Sequence, residues 1–146
     1  MDDFSYAHRD TSEIGAKGTA RFNVPRIPSA LEDVRRAAFA REIPVAGDET
    51  LAFLMTQTAA CGANKILGTA VGTTAIAMAC ACPNAKIITV ERDENFYKEA
   101  LANFKKCGVS ERVEAVCGDA GEIIAELDGT FDFIFMDCAK VQYIKY

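Results

Sequence analysis

Histidine occurs once in this chain, at His8, and no two cysteines stand in a C-x-x-C pair. Both scarcities weigh against a zinc centre, which needs several nitrogen or sulfur ligands at set spacings. The six cysteines, Cys61, Cys80, Cys82, Cys107, Cys117 and Cys138, therefore read as reduced side chains that pack as small apolar groups. No apolar run approaches the roughly 20 residues that cross a bilayer. The start, Met1-Asp2-Asp3-Phe4, is acidic where a secretory leader is basic and then apolar. The expected setting is cytoplasmic, with no membrane partner. A basic excess is missing as well: 16 Lys and Arg stand against 21 Asp and Glu, a formal net charge of -5. That argues against a broad phosphate-binding face and leaves a local basic patch open.

What is present is an ordinary globular composition, half hydrophobic and a quarter charged over 146 residues, which fits one domain. Residues 1–27 show no sustained period and read as an arm. Ser29 followed by Glu32 has capping-box spacing, and Leu31, Val34, Ala38 and Phe39 recur at helical intervals up to Pro44. A second helix begins near Asp48, with Leu51, Leu54, Met55 and Thr58 on one side, and stops at Cys61-Gly62-Ala63-Asn64. The rhythm then alternates. Strands are expected at Lys65–Leu67, Lys86–Glu91, Val113–Cys117 and Phe131–Asp137. Helices are expected at Thr73–Cys82, Asp93–Cys107 (Phe96, Ala100, Phe104 and Cys107 inward) and Gly121–Leu127. This order predicts an α/β fold with a parallel, doubly wound sheet and right-handed crossovers.

In such a sheet, chemistry gathers beyond the carboxyl ends of the strands, and four places there stand out. Gly68-Thr69-Ala70-Val71-Gly72 bridges the first strand and its helix, where glycines let backbone amides approach a ligand or simply make a tight turn. The pattern is G-x-x-x-G, not G-x-G-x-x-G, which disfavours a nicotinamide cofactor. Glu91 closes the second strand, 23 residues after Gly68. A carboxylate there suits a ribose diol, because two oxygens accept two parallel hydrogen bonds; the alternative is a partner for the helix start at Asp93. Asp119 follows the third strand and suits an adenine amino group, an N-cap, or both. Asp137 and Lys140 end the fourth strand. They read as a ligand for a hard divalent cation beside a lysine base, or as a plain ion pair.

Taken together, Lys65–Ile76, Ile88–Asp93, Cys117–Ala120 and Phe131–Lys140 resemble the S-adenosylmethionine-dependent O-methyltransferases of the catechol and caffeoyl-CoA type. The bacterial members are the most similar, including those that methylate 5-hydroxyuridine in tRNA. Ile43–Thr50 resembles that family's segment ahead of the first strand. The resemblance covers about Ile27 to Tyr146 and implies a Rossmann-like methyltransferase domain over residues 28–146. By resemblance, Gly68, Thr69 and Gly72 line the methionine part of the cofactor, with Thr74 near its carboxylate. Glu91 holds the ribose, and Asp119 and Ala120 contact the adenine. Asp137 is a cofactor-side residue and a ligand of a magnesium-type ion, and Lys140 is the candidate catalytic base. The implied acceptor is a hydroxyl of a small aromatic or of tRNA hydroxyuridine.

Two departures from the family pattern qualify this. Where relatives read K-I-L-E-I-G, Leu67 here runs straight into Gly68, so two residues and a carboxylate are missing and the first strand is expected to be short. Relatives also continue beyond the position of Tyr146, through three more strands and an Asp-Asn pair that completes the metal site. Only the first four strands are expected, with Phe131, Phe133, Ile134 and Phe135 on an exposed edge that invites self-association. The competing reading is thus a truncated, weakly active or inactive module that binds cofactor or pairs with itself. A nicotinamide oxidoreductase is the more distant alternative.

Overall fold

A computed structural model describes residues 28–69 and 72–137, apart from the side chain of Thr69. The expected arm, 1–27, lies outside the described residues. The elements run α1 (Ser29–Phe39), α2 (Asp48–Ala60), β1 (Lys65–Thr69), α3 (Thr73–Ala81), β2 (Lys86–Glu91), α4 (Glu94–Lys106), β3 (Val113–Cys117), α5 (Ala120–Glu126) and β4 (Phe133–Phe135). The four described strands form one sheet in the order β3-β2-β1-β4, and every pairing is parallel.

The order follows from handedness. Two right-handed crossovers in one direction place α3 and α4 on one face, and the return from β3 to β4 places α5 on the other. Ile66, Ile87, Val113 and Phe133 stand in one row of the register. They join Leu51, Met55, Ile76, Met78 and Phe104 in the core on the helix-covered face. Each large side chain fully buried there contributes about 1.5–3 kcal/mol. Side chains alternate across a pleated sheet, so the next row, Leu67, Ile88, Glu114 and Ile134, points to the other face. Burial falls off across that row, from Leu67 at 3% exposed to Ile134 at 53%, because α5 is short and buries no residue fully.

α3 is buried on nearly all sides, as expected for a helix apolar all round. Ala75, Ala77 and Ala79 let it fit between α2 and the sheet without steric conflict. α2 carries Asp48 and Glu49 in its first turn, where carboxylates face the positive end of the helix dipole. In α4, Asp93 is the N-cap and accepts from the amides of Asn95 and Phe96 at 2.8 and 3.1 Å.

Four expectations are corrected. The Ser29–Glu32 capping box does not form: Pro28 is the N-cap, without a side-chain cap bond, and its carbonyl accepts from Leu31 N at 2.9 Å. Phe39 is 43% exposed, because the α1 stripe turns past it; the Arg35 guanidinium lies over its ring at 5.6 Å. β1 is not shortened to Leu67. It runs on through Gly68 and Thr69, which pair with Thr89 and Val90 of β2, while Gly68 also pairs with Phe135 of β4. β4 spans only Phe133–Phe135, and Asp132 just ahead of it gives its carboxylate to the amides at the start of β1.

Candidate functional site

The strand order reverses between β1 and β4, and an open parallel sheet offers its binding crevice at the carboxyl ends of the strands beside that reversal. Gly72, Glu91, Asp119 and Asp137 all follow or close strands at that end. Glu91 and Cys117 are paired residues of β2 and β3, and Gly118 N donates to Glu91 O at 3.0 Å. The ladder therefore brings two acids that are 28 residues apart in sequence, Glu91 and Asp119, to neighbouring strand ends.

Local chemistry orients each of them. Glu91 Oε1 accepts from Asp93 N at 2.8 Å. The carboxylate is thus set by the start of α4, as one sequence reading had it, and Oε1 is its engaged oxygen among the described residues. Asp119 caps α5, accepting from Gly121 N at 2.9 Å through Oδ1. Oδ1 is likewise its engaged oxygen among the described residues, so capping and a ligand role are compatible. Gly118 precedes it at φ +154°, and a Cβ there would meet Ile123 Cδ1 at 3.0 Å.

Gly72 is the turn on which the site depends. It is the N-cap of α3 at φ 90°, a left-handed conformation that costs a side-chain-bearing residue. A Cβ on it would also lie 2.8 Å from Phe104 Cε1 and 3.2 Å from Ala100 Cβ. The glycine lets the N-terminus of α3 sit tight against α4 with its first amides turned toward the strand ends. Gly68 differs. It lies inside the β1 ladder, and a Cβ there would meet only Met78 Cε at an ordinary 3.6 Å.

The remaining candidates divide. Thr74 is buried in the first turn of α3, and Ala120 opens α5, half-buried. Asp137 is exposed just past β4. Lys140 and the side chain of Thr69 lie outside the described residues. Among the described residues no group of three or more His, Cys, Asp or Glu is placed to hold a metal ion, so the described residues alone do not complete a divalent centre at Asp137. The described cysteines are free thiols. Burial pushes the Cys80 and Cys107 thiols up, so both stay protonated. No described helix is long and apolar enough to cross a membrane.

The sequence reading missed Arg35, which sits on the buried side of α1, one turn from Leu31. It hydrogen-bonds Ala46 O at 3.2 Å and pairs with Asp48. The available signal was its spacing within the apolar stripe, four residues after Leu31.

A concavity of about 600 Å³ lies at the opposite end of the sheet, among Lys65, Lys86, Glu111 and Arg112. Its cations serve the chain itself: Lys86 donates to Glu111 O at 3.0 Å, Lys65 to Asp128 O at 2.9 Å, and Arg112 to Ala79 O at 2.9 Å. Chemistry is better sought at the carboxyl ends.

Comparison with known proteins gives the chain's family. The sequence pattern of the O-methyltransferase family matches residues 28–146. A caffeoyl-CoA O-methyltransferase from Stellaria longipes is 29% identical over 135 residues, covering 84% of this chain and 55% of the relative. A catechol O-methyltransferase from Niastella koreensis is 36% identical over 101 residues, covering 64% and 46%. An O-methyltransferase from Bacillus cereus, solved in complex with S-adenosylhomocysteine, has a TM-score of 0.70 at 27% identity, covering 80% of this chain and 57% of that one. A methyltransferase from Podospora anserina, also bound to S-adenosylhomocysteine, has a TM-score of 0.75 at 26% identity, covering 82% and 54%. The chain spans about half the length of these relatives.

Proposed function

The chain belongs to the O-methyltransferase family, and on that premise we propose that residues 28–146 form the S-adenosylmethionine-binding part of an enzyme that methylates a hydroxyl oxygen. The observation that carries this reading is the convergence of Gly72, Glu91 and Asp119 at the carboxyl ends of β1, β2 and β3. Each presents the chemistry one part of an adenosyl ligand needs.

The bound cofactor supplies an electrophilic methyl on a sulfonium sulfur, so positioning an acceptor oxygen is most of the remaining task. Glu91, fixed through its Oε1, offers its carboxylate to the ribose hydroxyls. Asp119, with Ala120 beside it, does the same for the adenine amino group. Gly72, with Gly68, Thr69 and Thr74 around it, brings the α3 amides to the methionine carboxylate, and the helix dipole favours that charge. Lys140 is the base in this reading, and Asp137 is one carboxylate of a magnesium-type site. The described donors by themselves do not complete such a site. The acceptor in this reading is a small aromatic hydroxyl or tRNA hydroxyuridine, in a cytoplasmic setting.

A second reading, cofactor binding or self-association without turnover, is favoured by one observation. β4 is an edge strand among those described, and Ile134 on it is half exposed. Titration calorimetry tests the first element: S-adenosylhomocysteine should bind and NAD should not, and preference for NAD would overturn the reading. Methyl-transfer assays on a catechol and on hydroxyuridine-bearing tRNA, with and without magnesium, separate turnover from binding alone.

A further inference from the structure

Arg35 stands out because it is 7% exposed on a helix that faces solvent on its other side. A guanidinium gives up its hydration at a cost, and burial is tolerated only where acceptors replace the water. Arg35 has two such acceptors. Its Nη2 donates to the Ala46 carbonyl at 3.2 Å and to the Asp48 carboxylate, while Phe39 lies against its face. Its Nε is buried with no acceptor among the described residues. The group is thus incompletely satisfied. Packing alone would be better served by an apolar side chain of similar volume.

The two acceptors are informative by where they sit. α2 runs into the start of β1 through Cys61–Asn64, and its 13 residues span about 20 Å at 1.5 Å per residue. With its C-terminus tied to the start of β1 and its body packed against α3, α2 directs its N-terminus toward the end of the sheet where α3 begins. The connection Ile43–Gly47, between α1 and α2, has no regular structure and leads into that end of α2. Its backbone is held at the edges by Ile43 N to Ala38 O and by Leu51 N to Gly47 O, both 3.0 Å. Pro44 has no N–H to offer. Arg35 grips the middle through Ala46 and the helix start through Asp48.

We propose that Arg35 is a positioning residue for the cofactor pocket, holding the Ile43–Gly47 connection and the first turn of α2 in place at the end of the sheet where α3 begins. The inference rests on the adenosyl-binding reading above. It accounts for a buried, partly unsatisfied cation at a place where an apolar residue would pack as well. Arg35 touches no cofactor in this view; it acts through the Ala46 carbonyl and Asp48.

The test uses the full chain with R35M, which keeps volume and removes the hydrogen bonds, and R35K, which keeps a charge. Expected for R35M is a melting temperature no lower than that of the parent protein, with S-adenosylhomocysteine affinity by calorimetry weakened about tenfold. R35K should recover part of that affinity. In the ligand-free protein, amide exchange across 45–49 should quicken about tenfold in R35M with α3 unchanged, since those amides lose their anchor. Unchanged affinity in folded R35M overturns the proposal, even if exchange quickens, because Arg35 would then be a structural clamp only. Unchanged exchange also overturns it. If the parent protein fails to bind S-adenosylhomocysteine, the adenosyl reading fails, and the exchange arm still decides whether Arg35 anchors the connection. If R35M does not fold, R35K is read by both measurements.

Discussion

Asp132 and Lys65 hold each other reciprocally. The Asp132 carboxylate accepts from Lys65 N at 2.9 Å, and Asp132 N donates to Lys65 O at 2.8 Å. The same carboxylate oxygen takes Asn64 N at 2.8 Å, so one side chain satisfies the amides that open β1 and sets where β4 begins. The two backbone donors keep the Asp132 carboxyl below the usual carboxylate range.

A carboxylate whose pKa is lowered on folding stabilises the fold above its unfolded pKa, near 4, and loses that contribution as pH falls through the lower folded value. D132A should therefore melt below the parent protein at neutral pH, and the gap should close as pH drops below about 4. Melting curves from pH 7 to pH 2.5 check this; a gap independent of pH would show that the charge is not involved.

Gly72 and Gly68 should respond to substitution very differently. G72A forces a side chain into a left-handed conformation and against Phe104 and Ala100, at a cost of roughly 2–5 kcal/mol from strain and overpacking together. G68A meets only an ordinary contact with Met78 and should leave stability within about 1 kcal/mol of the parent protein. Urea denaturation of both variants is the measurement.

Glu91 should matter to the ligand more than to the fold. E91A is expected to weaken S-adenosylhomocysteine binding by roughly 1.5–3 kcal/mol, the scale for hydrogen bonds to a charged group. E91Q keeps an acceptor for Asp93 N and removes the charge, so calorimetry on the pair separates orientation from charge. Unchanged affinity in both would remove Glu91 from the ribose role.

Self-association through β4 is read at Ile134, whose side chain is half exposed on the less covered face. I134K places a charge on the edge strand, the usual protection against edge pairing. Light scattering should show less association than in the parent protein, with little change in melting temperature; association unaffected by I134K would rule out the β4 edge.

Much of this was legible from local pattern. Period-2 and period-3.6 runs placed the nine described elements, and Asp93 and Asp119 were readable as helix starts because a cap acts within three residues of itself. The two-residue gap before Gly68 was equally visible, but its consequence was not. Whether a glycine belongs to a loop or a ladder depends on partners 21 and 67 residues further along, Thr89 and Phe135. The capping box failed for a nearer reason: Pro28 was already in place as the N-cap.

By itself the sequence determined the succession of strands and helices, their direction, and which residues close each strand, since these follow from covalent order and side-chain periodicity. It therefore placed Gly72, Glu91, Asp119 and Asp137 at one end of the sheet. Tertiary structure alone decided what depends on contacts remote in sequence. A side chain at Gly72 is costly because Phe104 packs there. Asp132 sets where β4 begins because its carboxylate takes the amides at the start of β1. Arg35 is a buried anchor because α2 begins beside it. The partners in such contacts are remote in sequence and meet only once the chain has packed.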